Sequence, residues 1–178
     1  VYFICSGDRA SSRGSYTEVA GIVEKCNLDE DSIETINIDY FDDFDNCYHR
    51  CYGLLSGIRR DYPDATIIAD YTGGTKSMSA GLACAATDIE ACCLCIVSGD
   101  RVDLKQVQNG TQSPRLSHAY SILLERQHKT IERLVSSFYY PSAITLLEDL
   151  LGIPDISPAK TAPLEQWHSV CKALQAWD

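Results

Sequence analysis

Apolar and polar positions repeat with two different periods along this chain. Val1–Cys5 is a continuous apolar run ended by Ser6-Gly7-Asp8, and after a Ser/Gly-rich loop (Ser11, Ser12, Gly14, Ser15) the residues Val19, Ile22, Val23 and Cys26 recur at helical spacing. Short apolar runs bounded by turn residues predict strands, and the i, i+3, i+4, i+7 recurrence predicts a helix, here over about Tyr16–Cys26. The pattern then repeats. Ile33–Ile38 predicts a second strand, and Asp42 or Asp43 is placed to N-cap a long helix reaching about Asp61. Tyr62-Pro63-Asp64 predicts a turn, Ala65–Tyr71 a strand apolar enough to be buried on both faces, and Thr75 to about Thr87 a helix of small residues. Ala91–Val97 predicts a fourth strand. Beyond Ser98-Gly99-Asp100, Val102–Gln108 predicts a fifth strand, pairing antiparallel with it as a hairpin.

Strand–helix alternation of this kind builds a parallel sheet with helices packed on it. The expected fold is α/β: a Rossmann-like, mostly parallel sheet with helices on both faces and a terminal β-hairpin, over residues 1–112. The small residues Ser79, Ala80, Gly81, Ala83, Ala85 and Ala86 would let the third helix lie close to the sheet. After Asn109-Gly110-Thr111 the period changes. Leu116, Tyr120, Leu123, Leu124, Ile131, Leu134, Val135 and Phe138 follow helical spacing, and Ala143–Leu151 forms another amphipathic stretch. Gly152, Pro154 and Pro158 then precede a last helix from about Pro163. Residues 113–178 are therefore expected to be a helical appendage, a linker to another domain or the start of one. Val1 opens directly into a strand, so a further piece is expected upstream.

At 178 residues, 45% hydrophobic and 22% charged, the composition is that of a globular domain and excludes disorder, collagen and coiled coil. The longest uncharged apolar run falls far short of the ~20 residues that span a bilayer. Twenty-five acids against fifteen Lys and Arg leave a net charge of −10. A general attraction to nucleic acid or anionic lipid is thereby disfavoured, so a polyanion would have to be held by a local site. The nine cysteines have no repeating spacing and lie mostly in apolar stretches, which predicts reduced core thiols of a cytoplasmic protein rather than disulfides.

The segment with chemistry in it is Ile67–Ala80, IIADYTGGTKSMSA. In an open α/β sheet, ligands bind beyond the carboxyl ends of the strands, where Thr72, Gly73, Gly74, Thr75, Lys76 and Ser77 fall. Two glycines allow a sharp turn and close backbone approach, the following helix start offers unpaired N–H groups, and Lys76 adds a cation. The set suits a phosphate. It is not a Walker A loop, since Asp70 stands where the first glycine belongs, and no G-x-G-x-x-G occurs at a strand–helix turn. Residue types alone also permit a plain Gly-Gly turn with a Thr/Ser cap and an incidental lysine.

The run DYTGGTKSMSAGLA resembles the signature of the CARF domain, the CRISPR-associated Rossmann-fold sensor of type III CRISPR systems. The opening VYFICS with its Ser/Gly loop and the hairpin after ACCLCIVSGDR also fit. The resemblance covers about Val1–Gln112. It implies a homodimer that binds cyclic oligoadenylate (tetra- or hexa-adenylate) across its two-fold axis and controls a C-terminal effector in antiviral defence. By the same resemblance Thr72, Gly73, Gly74, Thr75, Lys76 and Ser77 contact the ring, Met78 packs beneath the loop, and Asp70 orders it. Ser6, Gly7 and Arg9 are candidates for the pocket rim. Some CARF domains cleave their ligand. No His or carboxylate in the motif is an evident general base, so catalytic residues are not assigned, and a ring nuclease remains an alternative. Members normally carry one more strand–loop–helix unit ahead of the one that begins at Val1, so part of the pocket and its central strand are not expected in this sequence.

Other clusters carry less. Cys47 and Cys51, with His49 between them, read as core thiols rather than metal ligands; Cys92, Cys93 and Cys95 divide between two faces of a strand. Asp39, Asp42, Asp43 and Asp45 read as a solvated helix start rather than a Mg²⁺ site. His118, His128 and His168 lack a nearby nucleophile pattern. No metal, cofactor or membrane partner is expected. Nor is direct DNA binding: in residues 113–178 Arg115, Arg126, Lys129, Arg133, Lys160 and Lys172 face seven acids, which places a transcription regulator last among the readings.

Overall fold

The structure, a computed structural model, describes residues 1–178 apart from 11, 90, 91, 100, 103–105, 108, 109, 154, 155 and 178. It divides into two compact units, Val1–His118 and Ala119–Asp178.

The first unit runs β1 (Tyr2–Ser6), α1 (Val19–Cys26), β2 (Glu34–Ile38), α2 (Phe44–Asp61), β3 (Ile67–Asp70), α3 (Lys76–Thr87), β4 (Cys92–Ser98), β5 (Arg101–Val102), β6 (Gln106–Val107) and β7 (Ser113–His118). It is the expected mixed α/β fold, with parallel strands and helices on both sides. β1 and β2 pair in parallel from Tyr2↔Glu34 to Ser6↔Ile38, and β3 and β4 from Ile67↔Cys92 to Asp70↔Cys95. Among the described residues no strand ladder joins the β1–β2 pair to the β3–β4–β7 sheet. A shared core links them instead: Ile38 of β2, Phe41 after it, Ile67 and Ala69 of β3, and Cys47, Cys51, Leu55, Met78, Leu82 and Ala85 of α2 and α3 belong to one cluster.

Several expectations are corrected. β3 is buried on one face only: Ile67 and Ala69 are 7% and 5% exposed, whereas Ile68 between them is 56% exposed. The apolar run conceals this because both faces carry aliphatic residues. The antiparallel partner of β4 is β7, in register from Cys93↔His118 to Ser98↔Ser113, while β5 and β6 form a two-residue ladder of their own. Residues 103–105 and 108 of the expected fifth strand lie outside the described residues. Leu116, four residues before Tyr120, fits a helical period but lies on β7, and Pro114, which is unsuited to a helix interior, is tolerated on this outer strand. The helical part thus begins at Ala119, not at residue 113. The first helix is shorter than expected: a 3-10 turn at Ser15–Glu18 precedes α1, and of its predicted apolar face only Val23 is buried.

Helix starts follow the capping rules. The Asp43 carboxylate accepts from Asn46 N at 2.7 Å and caps α2; Thr75 Oγ1 accepts from Met78 N at 3.3 Å and caps α3. The small-residue face of α3 makes its tightest approach to α2. A Cβ added at Gly81 would lie 2.8 Å from Cys47 Cβ and 2.8 Å from the Tyr48 backbone nitrogen. The thiols of Cys47 and Cys51 belong to this core, and Cys47 Sγ donates to Phe41 O at 3.5 Å.

The second unit comprises α4 (Tyr120–Ser136), α5 (Tyr140–Leu151) and α6 (Pro158–Trp177) around Ile131, Ala143, Ile144, Leu147, Leu150, Leu164 and Cys171. Pro158 opens α6 rather than breaking the chain before it, because proline's fixed φ and missing N–H suit a first turn. Among the described residues no helix is long and apolar enough to cross a membrane.

Gly81→Ala should destabilise the first unit by about 1–3 kcal/mol through overpacking against α2, read as a lower urea midpoint. Burial pushes the Cys51 and Cys92 thiols up to about 11, from 9.0. Thiols that ionise later in the folded than in the unfolded chain stabilise it fully below pH 9, and that contribution is lost as pH rises to 11. The melting temperature should therefore fall across this range, and less steeply in a Cys51→Ala/Cys92→Ala variant.

Candidate anion-binding loop

The turn from β3 into α3 is held by its own side chains. Tyr71 N donates to Cys95 O at 3.1 Å, extending the β3–β4 ladder by one residue. Asp70 Oδ1 accepts from Thr72 N at 2.8 Å and from Thr72 Oγ1 at 2.5 Å, and Thr72 Oγ1 accepts from Val97 N at 2.7 Å. The ordering role expected of Asp70 is thus visible. Gly74 has φ of 87°, and a Cβ there would lie 3.3 Å from Met78 Cβ, so this position requires glycine. Met78 is buried beneath the loop, as expected. Gly73 differs: a Cβ would meet nothing within 4 Å, leaving open space where a ligand could approach the backbone.

Thr75 Oγ1 donates to Phe41 O at 2.7 Å, Ser77 Oγ to Asp42 O at 2.8 Å, and Ser79 Oγ to Gly73 O at 2.6 Å. The hydroxyls of Thr72, Thr75 and Ser77 therefore direct their protons to protein acceptors. What remains is backbone. Among the described residues the N–H groups of Gly73, Gly74, Thr75, Lys76 and Ser77 have no protein acceptor, and the exposed Lys76 ammonium makes no ion pair. Consecutive unpaired amides at a helix start, beside a cation, favour an anion.

The β1 loop reaches the segment after β2 through Arg9. Ser6 is bound to Ser15, with Ser6 N donating to Ser15 Oγ at 2.9 Å and Ser15 N to Ser6 Oγ at 3.0 Å. Gly7 N donates to Ile38 O at 2.9 Å, and Gly14 packs so closely on Ser6 and Gly7 that a Cβ would overlap Ser6 O. Ser6 and Gly7 thus close the loop. Arg9 extends from it: its guanidinium lies 4.4 Å from the Phe41 ring centroid and pairs with the Asp42 carboxylate.

Sequence reasoning missed Phe41 and treated Asp42 only as a cap or part of a solvated cluster. Their carbonyls anchor the Thr75 and Ser77 hydroxyls, and their side chains hold Arg9. The available signal was position: DYFDD follows the carboxyl end of β2 as the loop follows the carboxyl end of β3. Among the described residues no group of three His, Cys, Asp or Glu side chains is arranged to hold a metal. An open depression of about 390 Å³ lined by Tyr40, Asp43, Asp45, Asn46, His49 and Arg50 lies at the start of α2 and includes none of the expected ligand residues.

These elements define an α/β fold of Rossmann type with a polar turn at the carboxyl end of β3. No protein-family model and no curated protein matches the sequence. Among solved structures, Enterococcus italicus Csm6 bound to cyclic hexa-2'-fluoro-hexa-dAMP matches 99% of this chain and 46% of its own, with a TM-score of 0.70 at 15% identity. The chain spans under half the length of that protein, and the likeness supports a CARF-like fold.

Thr75→Val removes both the cap on Met78 N and the bond to Phe41 O. It should cost about 1–2 kcal/mol in denaturant unfolding, with Thr75→Ser recovering most of the loss.

Proposed function

We propose that this chain is a sensor that binds cyclic oligoadenylate through the Gly73–Ser77 loop and, as a homodimer, controls an attached effector in type III CRISPR defence. The observation that carries this reading is the run of five amides without a protein acceptor at the start of α3, with the Lys76 ammonium among them. It occurs in a fold shared with a protein solved with a cyclic hexanucleotide analogue. The physical argument is one of symmetry and charge. A ring of four or six like nucleotides has an even rotation axis, so a two-fold dimer can present the same loop twice to equivalent phosphates. Two local loops then hold a polyanion although the chain carries a net charge of −10.

In this reading Lys76 contacts a ring phosphate, Thr72, Thr75 and Ser77 hold the loop in shape while the 73–77 backbone contacts oxygen, and Gly73 keeps the approach open. The sensor region is Val1–His118, acting in the cytoplasm.

Titration calorimetry with cyclic tetra- and hexa-adenylate tests the assignment. Lys76→Ala should weaken binding about ten- to a hundredfold, the range of a charged hydrogen bond, without lowering the melting temperature. Unchanged affinity for both rings would remove the phosphate role. Chromatography of the same mixtures for linear products separates sensing from ring cleavage.

A further inference from the structure

Arg9 and Asp42 place a second cation, and its counter-charge, on the segment after β2 that anchors the loop. Ser77 Oγ donates to the Asp42 carbonyl at 2.8 Å, so Asp42 is one hydrogen bond from the residue that ends the run of unpaired amides. Its carboxylate holds the Arg9 guanidinium, and both side chains are open to solvent, 50% exposed for Arg9 and 63% for Asp42. The guanidinium also lies over the Phe41 ring at 4.4 Å, and Phe41 is itself fixed by the bond its carbonyl accepts from Thr75. Arginine's flat fork suits phosphate as well as carboxylate, and the aromatic face holds it in place while its partner changes.

We propose that Asp42 is a built-in competitor for Arg9. In the free protein the carboxylate occupies the guanidinium; on binding, a phosphate of the ring takes the carboxylate's place, so the Asp42–Arg9 pair sets the affinity of the site. This rests on the reading that the 73–77 loop binds phosphate. The exchange is inexpensive because an exposed ion pair contributes little to stability. Once Arg9 has changed partner, Asp42 is left as an unpaired negative charge beside Ser77, and that cost opposes binding.

The test is a double-mutant cycle on the full chain, with cyclic hexa-adenylate and cyclic tetra-adenylate as probes and calorimetric affinity as the readout. Asp42→Asn keeps the main-chain carbonyl that anchors Ser77 and should bind about two- to fivefold tighter, the range expected for releasing an exposed pair. Arg9→Ala should bind more weakly than the native chain. In the Arg9→Ala background Asp42→Asn should give a smaller gain, because the competition has lost its object and only the repulsion by the carboxylate remains to be removed. A gain that persists undiminished there would mean that Asp42 acts only as a fixed charge, and would overturn the exchange; so would native or weaker affinity in Asp42→Asn alone. Asp42→Ser, which keeps the same carbonyl, gives an equivalent reading if Asn lowers the melting temperature. Lys76→Ala leaves the Arg9–Asp42 pair intact and reports on the loop separately. If the native chain binds neither ring, or Lys76→Ala binds as tightly as native, the phosphate reading fails and the exchange falls with it. If Lys76→Ala weakens binding while the cycle shows no coupling, only the exchange is overturned.

Discussion

The Thr75 hydroxyl joins the first turn of α3 to the segment leaving β2. Its oxygen accepts from Met78 N and caps α3, while its proton goes to Phe41 O in the segment leaving β2. The start of α3 is thereby fixed both to its own first turn and to the end of a strand in the other half of the sheet. This matters because no strand ladder among the described residues joins the two halves. Position is transmitted through helix packing and through this hydroxyl, with the Ser77–Asp42 bond beside it. A loop held at both ends can leave its amides unpaired without collapsing onto them.

That division of labour explains why so polar a turn still has amides without protein acceptors. A hydroxyl has a single proton to donate, and Thr72, Thr75, Ser77 and Ser79 each direct theirs to a protein acceptor. The side chains shape the turn; the N–H groups from Gly73 to Ser77 are left without a protein acceptor. Backbone amides have no rotamer freedom to lose on binding, so a preformed row of them grips an anion at low entropic cost.

Much of the architecture was legible from periodicity. The helices after Asp43 and Thr75 were signalled by caps and strands β1–β4 by apolar runs, and these appear where local chemistry placed them. The failures have local causes. ATIIADY looks buried on both faces because aliphatic residues alternate with aliphatic residues, and only three-dimensional packing distinguishes Ile67 from Ile68. SPRLSH carries too little hydrophobicity for a period to be read, so Leu116 was absorbed into the helix that follows. At the loop, the phosphate-suited residue types were legible, whereas the inward use of the hydroxyls was not, because their acceptors at Phe41 and Asp42 lie more than thirty residues away. The same separation hid the Arg9–Asp42 pair.

The acidic run after β2 acquires a meaning from this geometry. The starts of α2 and α3 lie together, tied by the Phe41 and Asp42 carbonyls and by the close approach of Gly81 to Cys47. Two helix N-termini at one place concentrate partial positive charge there, which carboxylates offset and bound anions exploit. Asp43 answers it at α2, where its carboxylate caps the helix. At α3 the cap is the neutral Thr75, so the amides of that helix start remain without a compensating charge of their own. Asp42, between the two starts, is engaged by Arg9 instead. The distribution of capping residues, a charged one on α2 and a neutral one on α3, thus decides which of two adjacent helix starts is left open to an external anion.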